Sequence, residues 1–375
     1  MRILLAGGGT AGHINPALAI AAHIRKQNPG AEILFAGTPG GMEARLVPKA
    51  GFGFTPIKVQ GFYRGFTPKD IAHNLGTLKY LATAGFTARK IIRAFAPDVA
   101  VGTGGYVSGP IVETAQKCGI KTLIHEQNAF PGVTTKLLAK HADKIMLAVE
   151  EAKQYLPAGK DYQVVGNPVR ESVILCSKRE ARRKLGIGDG VCILSFGGSL
   201  GAHMINLVAA DLIGWHAKEG KIHHIHAYGQ YGGEEFPAML RERGVDPKMH
   251  PQLDIREYID NMDLCMAAAD LVVCRAGAIT LSELEATGKA SILIPSPNVT
   301  ANHQYHNAMV LQNHGAGIVV EEKQYHKQKL LTEVEALCRE PDRLKRLGMN
   351  ASKLAVLDTC ERIYAAILEL ISPAG

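Results

Sequence analysis

The sequence predicts an α/β protein of two doubly wound parallel-sheet lobes facing across a cleft. Three observations predict it. A strand that ends in a glycine cluster and opens a helix occurs twice, at 2–13 and at 192–203. Short continuous Ile/Leu/Val/Ala runs alternate with helical periodicity, as expected of strands buried on both faces of a parallel sheet. The length, 375 residues, suits two domains, each with its own core.

In chain order, the first half offers strands at 2–6, 32–36, 53–58, 98–102, 121–125, 144–147 and 163–165. The second half offers 191–196, 222–227, 271–274, 290–294 and 317–319. Helical runs between them make each half doubly wound. Pro168 ends the last strand of the first lobe, and a charged helical stretch at 178–186 leads into the second. The expected domains are therefore 1–165 and 166–357. Beyond 326 the pattern is helix only, broken near Pro341 and Asp358, and 358–375 is expected to pack back toward the first domain.

Composition is that of a globular chain, with 46% hydrophobic and 21% charged residues. No apolar run reaches the roughly 18–20 residues of a spanning helix. The chain enters a strand at once, without a signal-peptide pattern. Its seven cysteines form no CxxC pair and read as buried free thiols of a reducing compartment. Residues 1–165 hold 19 Lys/Arg against 10 Asp/Glu, and the remainder 23 against 25. A basic first half attracts phosphate, nucleic acid or an anionic membrane surface.

The first glycine loop, 7–12, satisfies GxGxxG between a strand and a helix. A dinucleotide site also wants a carboxylate at the end of the second strand. Gly37 and Thr38 stand there instead, which argues against NAD. His13 follows the loop and suits either a general base or a helix-start residue bonding local backbone. Two more strand ends carry Gly-Thr-Gly-Gly-Tyr-Val-Ser-Gly-Pro at 102–110 and His-Glu-Gln-Asn at 125–128. Ligands bind at the carboxyl ends of strands in such sheets, so three such ends suggest one site. Their polar side chains suit a sugar, although Glu126 and Asn128 also suit loop capping.

In the second half, 270–283 reads as strand, tight turn and helix. Gly277 and the helix start at Ala278, Ile279, Thr280 and Leu281 offer N–H groups to a pyrophosphate. Glu283 lies where a carboxylate accepts ribose hydroxyls, or where it complements the helix dipole. Gln304, after a loop led by Pro295, is placed to reach sugar hydroxyls. His223, His224 and His226 share a strand with no nearby carboxylate or cysteine in sequence, so a metal site is not expected there.

These residues carry a family resemblance. Arg275, Gly277, Ala278, Thr280 and Glu283, then Gly288, Pro295 and Gln304, resemble the nucleotide-sugar signature of the peptidoglycan GlcNAc transferases, the MurG family of the GT-B superfamily. The motifs at 8–13, 102–110, 125–128 and 166–170, and Gly-Gly-Ser-x-Gly-Ala at 197–202, match in the family's order. The likeness runs from Met1 to about residue 320. Ala11, Leu200, Ala276 and His303 depart from the pattern without removing a charged residue.

The resemblance implies GT-B architecture with two Rossmann-like lobes. It implies an inverting, UDP-GlcNAc-dependent transferase acting on undecaprenyl-pyrophosphoryl-MurNAc-pentapeptide, lipid I, to give lipid II. It assigns Ile259 to the uracil pocket, Ala278 to Glu283, including Ser282, to nucleotide and phosphate, Ser199 and Arg170 to the diphosphate, and Gln304 to GlcNAc. Thr10, Ala11, Gly12 and Asn128 would meet the donor from the first lobe. Gly104, Gly105, Tyr106 and His125 would bind the acceptor. His13 is the favoured base and Glu126 the alternative. With no Asp-x-Asp motif, the helix start at 278–281, Ser199 and Arg170 are expected to hold the leaving group without a metal, and no cofactor or nucleic acid is implied.

Residues 62–95 interleave aromatics with basic residues, among them Arg64, Lys69, Lys79, Arg89, Lys90 and Arg93. They read as an amphipathic core helix with a basic outer face, or as a peripheral contact with an anionic membrane at its cytoplasmic face. The resemblance favours the second. A UDP-GlcNAc 2-epimerase of the same architecture and a non-catalytic nucleotide-sugar sensor are the rival readings.

Overall fold

The computed structural model describes residues 1–59, 61, 67 and 83–372 and divides the chain into two compact units. Met1–Pro168 with Val356–Gly375 form the first, and Val169–Ala355 the second.

In the first unit the described strands are β1 (Arg2–Gly7), β2 (Glu32–Gly37), β3 (Gly53–Pro56), β4 (Val99–Gly104), β5 (Lys121–Glu126), β6 (Lys144–Leu147) and β7 (Tyr162–Val164). They form one parallel sheet in the order β3-β2-β1-β4-β5-β6-β7. Strand side chains alternate between faces, and here both faces are covered. Ile3 and Leu5 pack with Ile14, Ala17, Ile20 and Ile24 of the helix Ala11–Gln27. Leu4 and Ala6 pack on the other side with Ala84, Ala88, Ile91 and Ile92 of a helix over 83–95, and with Ile111 and Ala115.

The chain order reverses between β1 and β4. At such a switch point the loops from the two strands diverge and leave a crevice beyond their carboxyl ends. The chain also returns to this unit at its end. Ile363, Ala366 and Ile367 of the helix Thr359–Ile371 join the core around Ile3 and Leu5. Thr359 donates from its hydroxyl to the carbonyls of Val165 (2.6 Å) and Asn167 (3.3 Å). Lys144 pairs with Glu369 at 2.8 Å.

In the second unit β8 (Cys192–Phe196), β9 (His223–Ala227), β10 (Leu253–Arg256), β11 (Leu271–Cys274), β12 (Ala290–Leu293) and β13 (Ile318–Val319) form a parallel sheet in the order β10-β9-β8-β11-β12-β13. Its switch point lies between β8 and β11. Ile193, Leu271, Val273 and Ile292 pack against Ile205, Val208 and Leu212 of the helix His203–His216 and Val334 and Leu337 of the helix Lys327–Arg339. The charged stretch after Pro168 is the helix Lys178–Leu185. The Ser177 hydroxyl accepts from the Glu180 N–H at 3.3 Å, and left-handed Gly186 closes the helix.

β10 was not expected from sequence. It is an edge strand, paired to β9 alone, and the polar partners Asp254 and Arg256 interrupt its apolar residues. The seven cysteines are free; Cys192, Cys265 and Cys274 are buried, but Cys118 is exposed at a helix end, against the expectation for buried thiols. Much of the expected membrane-facing stretch, 62–66 and 68–82, lies outside the described residues. Among the described residues, no helix is long and apolar enough to cross a membrane.

Candidate functional site

The first unit gathers three loops at the carboxyl ends of β1, β4 and β5. Thr10 caps the helix Ala11–Gln27, with exposed Ala11 and half-buried Gly12 in its first turn. His13 is half-buried, one residue further. Thr103 donates from its hydroxyl to the His13 carbonyl at 2.8 Å. Gly104 and Gly105 both have positive φ, +102° and +78°. A Cβ on Gly104 would stand 2.7 Å from the His13 ring, and one on Gly105 only 2.2 Å from the Gly8 carbonyl oxygen. These glycines are thus required for the β4 loop to lie against the β1 loop. Ser108 ties that loop down, donating to the Ala6 carbonyl (2.5 Å) and accepting from the Gly104 N–H (3.0 Å). Tyr106 projects from it, 56% exposed.

The β5 loop reaches the same place. His13 Nδ1 lies 3.1 Å from Gln127 Oε1. Gln127 Nε2 lies 2.9 Å from His125 Nδ1, and His125 Nε2 lies 2.8 Å from the Gly166 carbonyl. Burial keeps His125 below the usual histidine value, with Gly166 and Glu126 pulling the other way. Glu126 is buried, and both carboxylate oxygens accept within its own loop. Oε1 takes the N–H and side-chain amide of Asn128 (3.0 and 3.1 Å), and Oε2 takes the Gly132 N–H (3.1 Å). Its carboxylate therefore organises the loop that carries Asn128.

One participant gave no signal in the motif. Glu43 is buried beneath the first glycine loop. Its carboxylate accepts from the Gly9 N–H (3.2 Å) and from the Thr38 N–H (2.9 Å) and hydroxyl (2.5 Å). Burial alone would raise its pKa. The hydrogen bonds from Thr38, from its own N–H and from Gly9 outweigh burial and hold the carboxyl below the ordinary glutamate value. A Cβ on Gly8, Gly37 or Gly41 would stand within 2.6 Å of this side chain. The Gly9 N–H of the GxGxxG loop is thus bonded to the protein's own carboxylate.

In the second unit the loop after β8 carries Ser199 and Leu200, both exposed, between Gly198 (φ +94°) and Gly201 (φ +85°). Gly201 presses on the Tyr228 carbonyl, where a Cβ would stand at 2.2 Å. The loop is pinned by Gln230 N–H to the Ser199 carbonyl (3.2 Å) and Tyr231 N–H to the Leu200 carbonyl (3.1 Å).

After β11, Gly277 takes the N-cap position of the helix Ala278–Thr287 and, as glycine, brings no side chain to cap its first N–H groups. Those donors at Ala278, Ile279 and Thr280 have no intrahelical partner. Leu281 turns inward. Ser282 is half-buried, and Glu283 is buried one turn further on. Arg170, with its side chain 58% exposed, forks onto Glu283 Oε1 through Nε (3.1 Å) and Nη2 (2.9 Å). Burial pushes the Glu283 carboxyl up, and Arg170 offsets part of this.

Arg275 points elsewhere. It pairs with Glu322 (2.5 Å) and donates to the Ile294 carbonyl (2.9 Å), tying the turn to the end of β12. Gln304 Oε1 accepts the Ser296 N–H at 2.9 Å. Just before it, Ala301 and Asn302 hold left-handed φ of +52° and +50°. Such strain in non-glycine residues clusters at functional sites. Ile259 is buried in the loop after β10.

The β9 histidines are core residues. Ser195 Oγ lies 2.8 Å from both His224 Nε2 and His226 Nδ1, and His216 Nε2 lies 3.0 Å from His224 Nδ1. Burial lowers His216 to about 4 and His226 to about 3, so these rings are neutral.

Comparison with known proteins matches both units. Residues 3–147 match the glycosyltransferase family 28 N-terminal domain, and 192–363 the glycosyltransferase family 28 C-terminal domain. The chain is similar to the UDP-N-acetylglucosamine–N-acetylmuramyl-(pentapeptide) pyrophosphoryl-undecaprenol N-acetylglucosamine transferase of Acetivibrio thermocellus. The two are 44% identical over 372 residues, 99% of this chain and 98% of the relative. The protein of the same name from Ruminiclostridium cellulolyticum is 41% identical over 372 residues, 99% of this chain and 100% of the relative. The crystal structure of Acinetobacter baumannii MurG aligns with a TM-score of 0.78 at 26% identity, covering 98% of this chain and 99% of that one.

Proposed function

The chain belongs to this family of glycosyltransferase family 28 N-acetylglucosamine transferases, and from that premise we propose that it converts lipid I to lipid II. GlcNAc passes from UDP-GlcNAc to the MurNAc 4-hydroxyl of undecaprenyl-pyrophosphoryl-MurNAc-pentapeptide, with inversion at the anomeric carbon. The observation that carries the reading is the position of the two motif sets. Each sits at its own sheet's switch point, where α/β proteins bind ligands.

In this reading the second unit binds the donor. Ala278 to Leu281 and Ser199 meet the diphosphate, Ile259 the uracil and Gln304 the GlcNAc. Glu283 accepts ribose hydroxyls and Arg170, released from it, turns to the diphosphate. Arg275 acts through the turn it anchors. His13 is the base. It takes the proton of the 4-hydroxyl as that oxygen forms its bond to the anomeric carbon and the bond to the β-phosphate oxygen breaks. N–H groups at the helix start, Ser199 and Arg170 stabilise the charge on departing UDP. Gly104, Gly105 and Tyr106 line the acceptor side. His125 and Glu126 hold the loop around it, and Thr10, Ala11, Gly12 and Asn128 meet the donor.

The reaction has no step that calls for a resident metal, so a chelator leaves turnover in place. Loss restored by magnesium alone contradicts this part. The lipid acceptor places the enzyme peripherally on the cytoplasmic face of the membrane. On the helix over 83–95, Phe86, Arg89, Lys90 and Arg93 are exposed at helical spacing, an arrangement suited to anionic headgroups.

Replacing the base tests the mechanism. His13→Ala lowers kcat by roughly 10²–10⁴-fold while sparing UDP binding. A near-normal kcat overturns the assignment.

A further inference from the structure

His13, half-buried, is the outer end of a chain of side chains that runs inward through Gln127 to buried His125. The orientation of the Gln127 amide follows from its surroundings. Its Nε2 lies 3.0 Å from the His125 carbonyl oxygen and 2.9 Å from His125 Nδ1. Turned the other way, Oε1 would face that carbonyl oxygen, and two acceptors would meet. Oε1 therefore faces His13.

A carboxamide oxygen only accepts, so His13 Nδ1 carries the hydrogen. A neutral imidazole has one N–H, which leaves the lone pair on His13 Nε2. His125 follows the same logic. Its Nδ1 accepts from Gln127, so its Nε2 carries the hydrogen and donates to the Gly166 carbonyl at 2.8 Å. Gln127 is itself buried, and the Asn167 side-chain amide donates to its carbonyl at 3.2 Å.

We propose that Gln127 is the positioning residue that sets the tautomer of His13, with Nδ1–H given to Gln127 Oε1 and the Nε2 lone pair left to take the acceptor proton. The proposal rests on the reading of His13 as base. In Ser-His-Asp sites a carboxylate holds the corresponding tautomer and also stabilises the imidazolium. A neutral amide fixes the tautomer without that added attraction for the proton. The carboxylates nearest this chain are already committed: Glu126 to Asn128 and Gly132, and Glu43 to Gly9 and Thr38.

The test is long-range ¹H–¹⁵N NMR of the histidine rings in the full chain, with His13→Ala supplying the assignment. The wild type shows His13 as the Nδ1–H tautomer at neutral pH. Gln127→Leu shifts it toward Nε2–H and lowers kcat by roughly 10²-fold or more, with KM for UDP-GlcNAc unchanged. A wild-type His13 in the Nε2–H form, or a Gln127→Leu variant with tautomer and kcat unchanged, overturns the proposal. The wild-type spectrum decides even where a variant does not fold. Failure of the base assignment is distinct: His13→Ala then keeps its kcat, whatever the tautomer.

Discussion

Glu43, beneath the first glycine loop, and Glu283, in the helix after Gly277, are both buried carboxylates, and their surroundings shift them in opposite directions. Glu43 has more hydrogen-bond donors than burial can offset, so it is ionised in the folded state at lower pH than in the unfolded chain. Its stabilisation is complete above the ordinary value of 4.5 and is lost as pH falls through the depressed folded value. Glu43→Gln, which cannot titrate, therefore flattens the acid side of a plot of Tm against pH. Parallel curves for wild type and variant contradict this.

Glu283 has the opposite sign. Burial raises it, and Arg170 offsets only part of this, so the carboxylate assigned to ribose in the proposed function protonates at higher pH than an exposed glutamate. Donor affinity, measured by titrating UDP, falls on acidification in a range where an exposed glutamate is still ionised. Glu283→Gln weakens UDP binding about tenfold or more and removes that pH dependence, on the scale of a charge-assisted hydrogen bond lost. Unchanged affinity contradicts the ribose assignment. His13 and Glu283 stood out in the sequence by their place after a glycine turn. Glu43 and Gln127 were not, because each acts on a partner far away in sequence: 34 residues to Gly9 and 114 to His13. Only the fold brings them together.

Most elements were legible because buried parallel strands are written as uninterrupted apolar runs. β1, β4, β8 and β11 lie inside their sheets and read cleanly. β10 has one neighbour and an Asp254–Arg256 pair on its exposed side, and its pattern fades accordingly. His224 and His226 of β9, where no metal was expected from sequence, are buried and hydrogen-bonded to Ser195, since alternate residues of a strand share one face. The helix Thr359–Ile371 belongs to the first unit through three core residues. Ile367→Ala removes a fully buried side chain there and costs roughly 2–5 kcal/mol. Denaturant unfolding followed by hydrogen exchange locates the loss in β1, β4 and β5. Exchange that speeds up only in the second unit contradicts this packing.

At the scale of the molecule, two parallel sheets each present a glycine-bearing loop at a switch point, yet the two loops differ in chemistry. In the loop after β1 the Gly9 N–H donates to the buried Glu43 carboxylate, and the helix that follows carries His13. The loop after β8 keeps Ser199 exposed, and the neighbouring strand β11 leads to Gly277 and Glu283. The duplication was legible in sequence; the Glu43 contact to the first loop was not. Incubating the protein with UDP-GlcNAc, with and without a lipid I analogue, tests the account most directly. It predicts UDP release only when the acceptor is present, together with a product carrying a new β-1,4-linked GlcNAc. A 2-epimerised sugar, UDP released regardless of acceptor, or donor binding without turnover would contradict it.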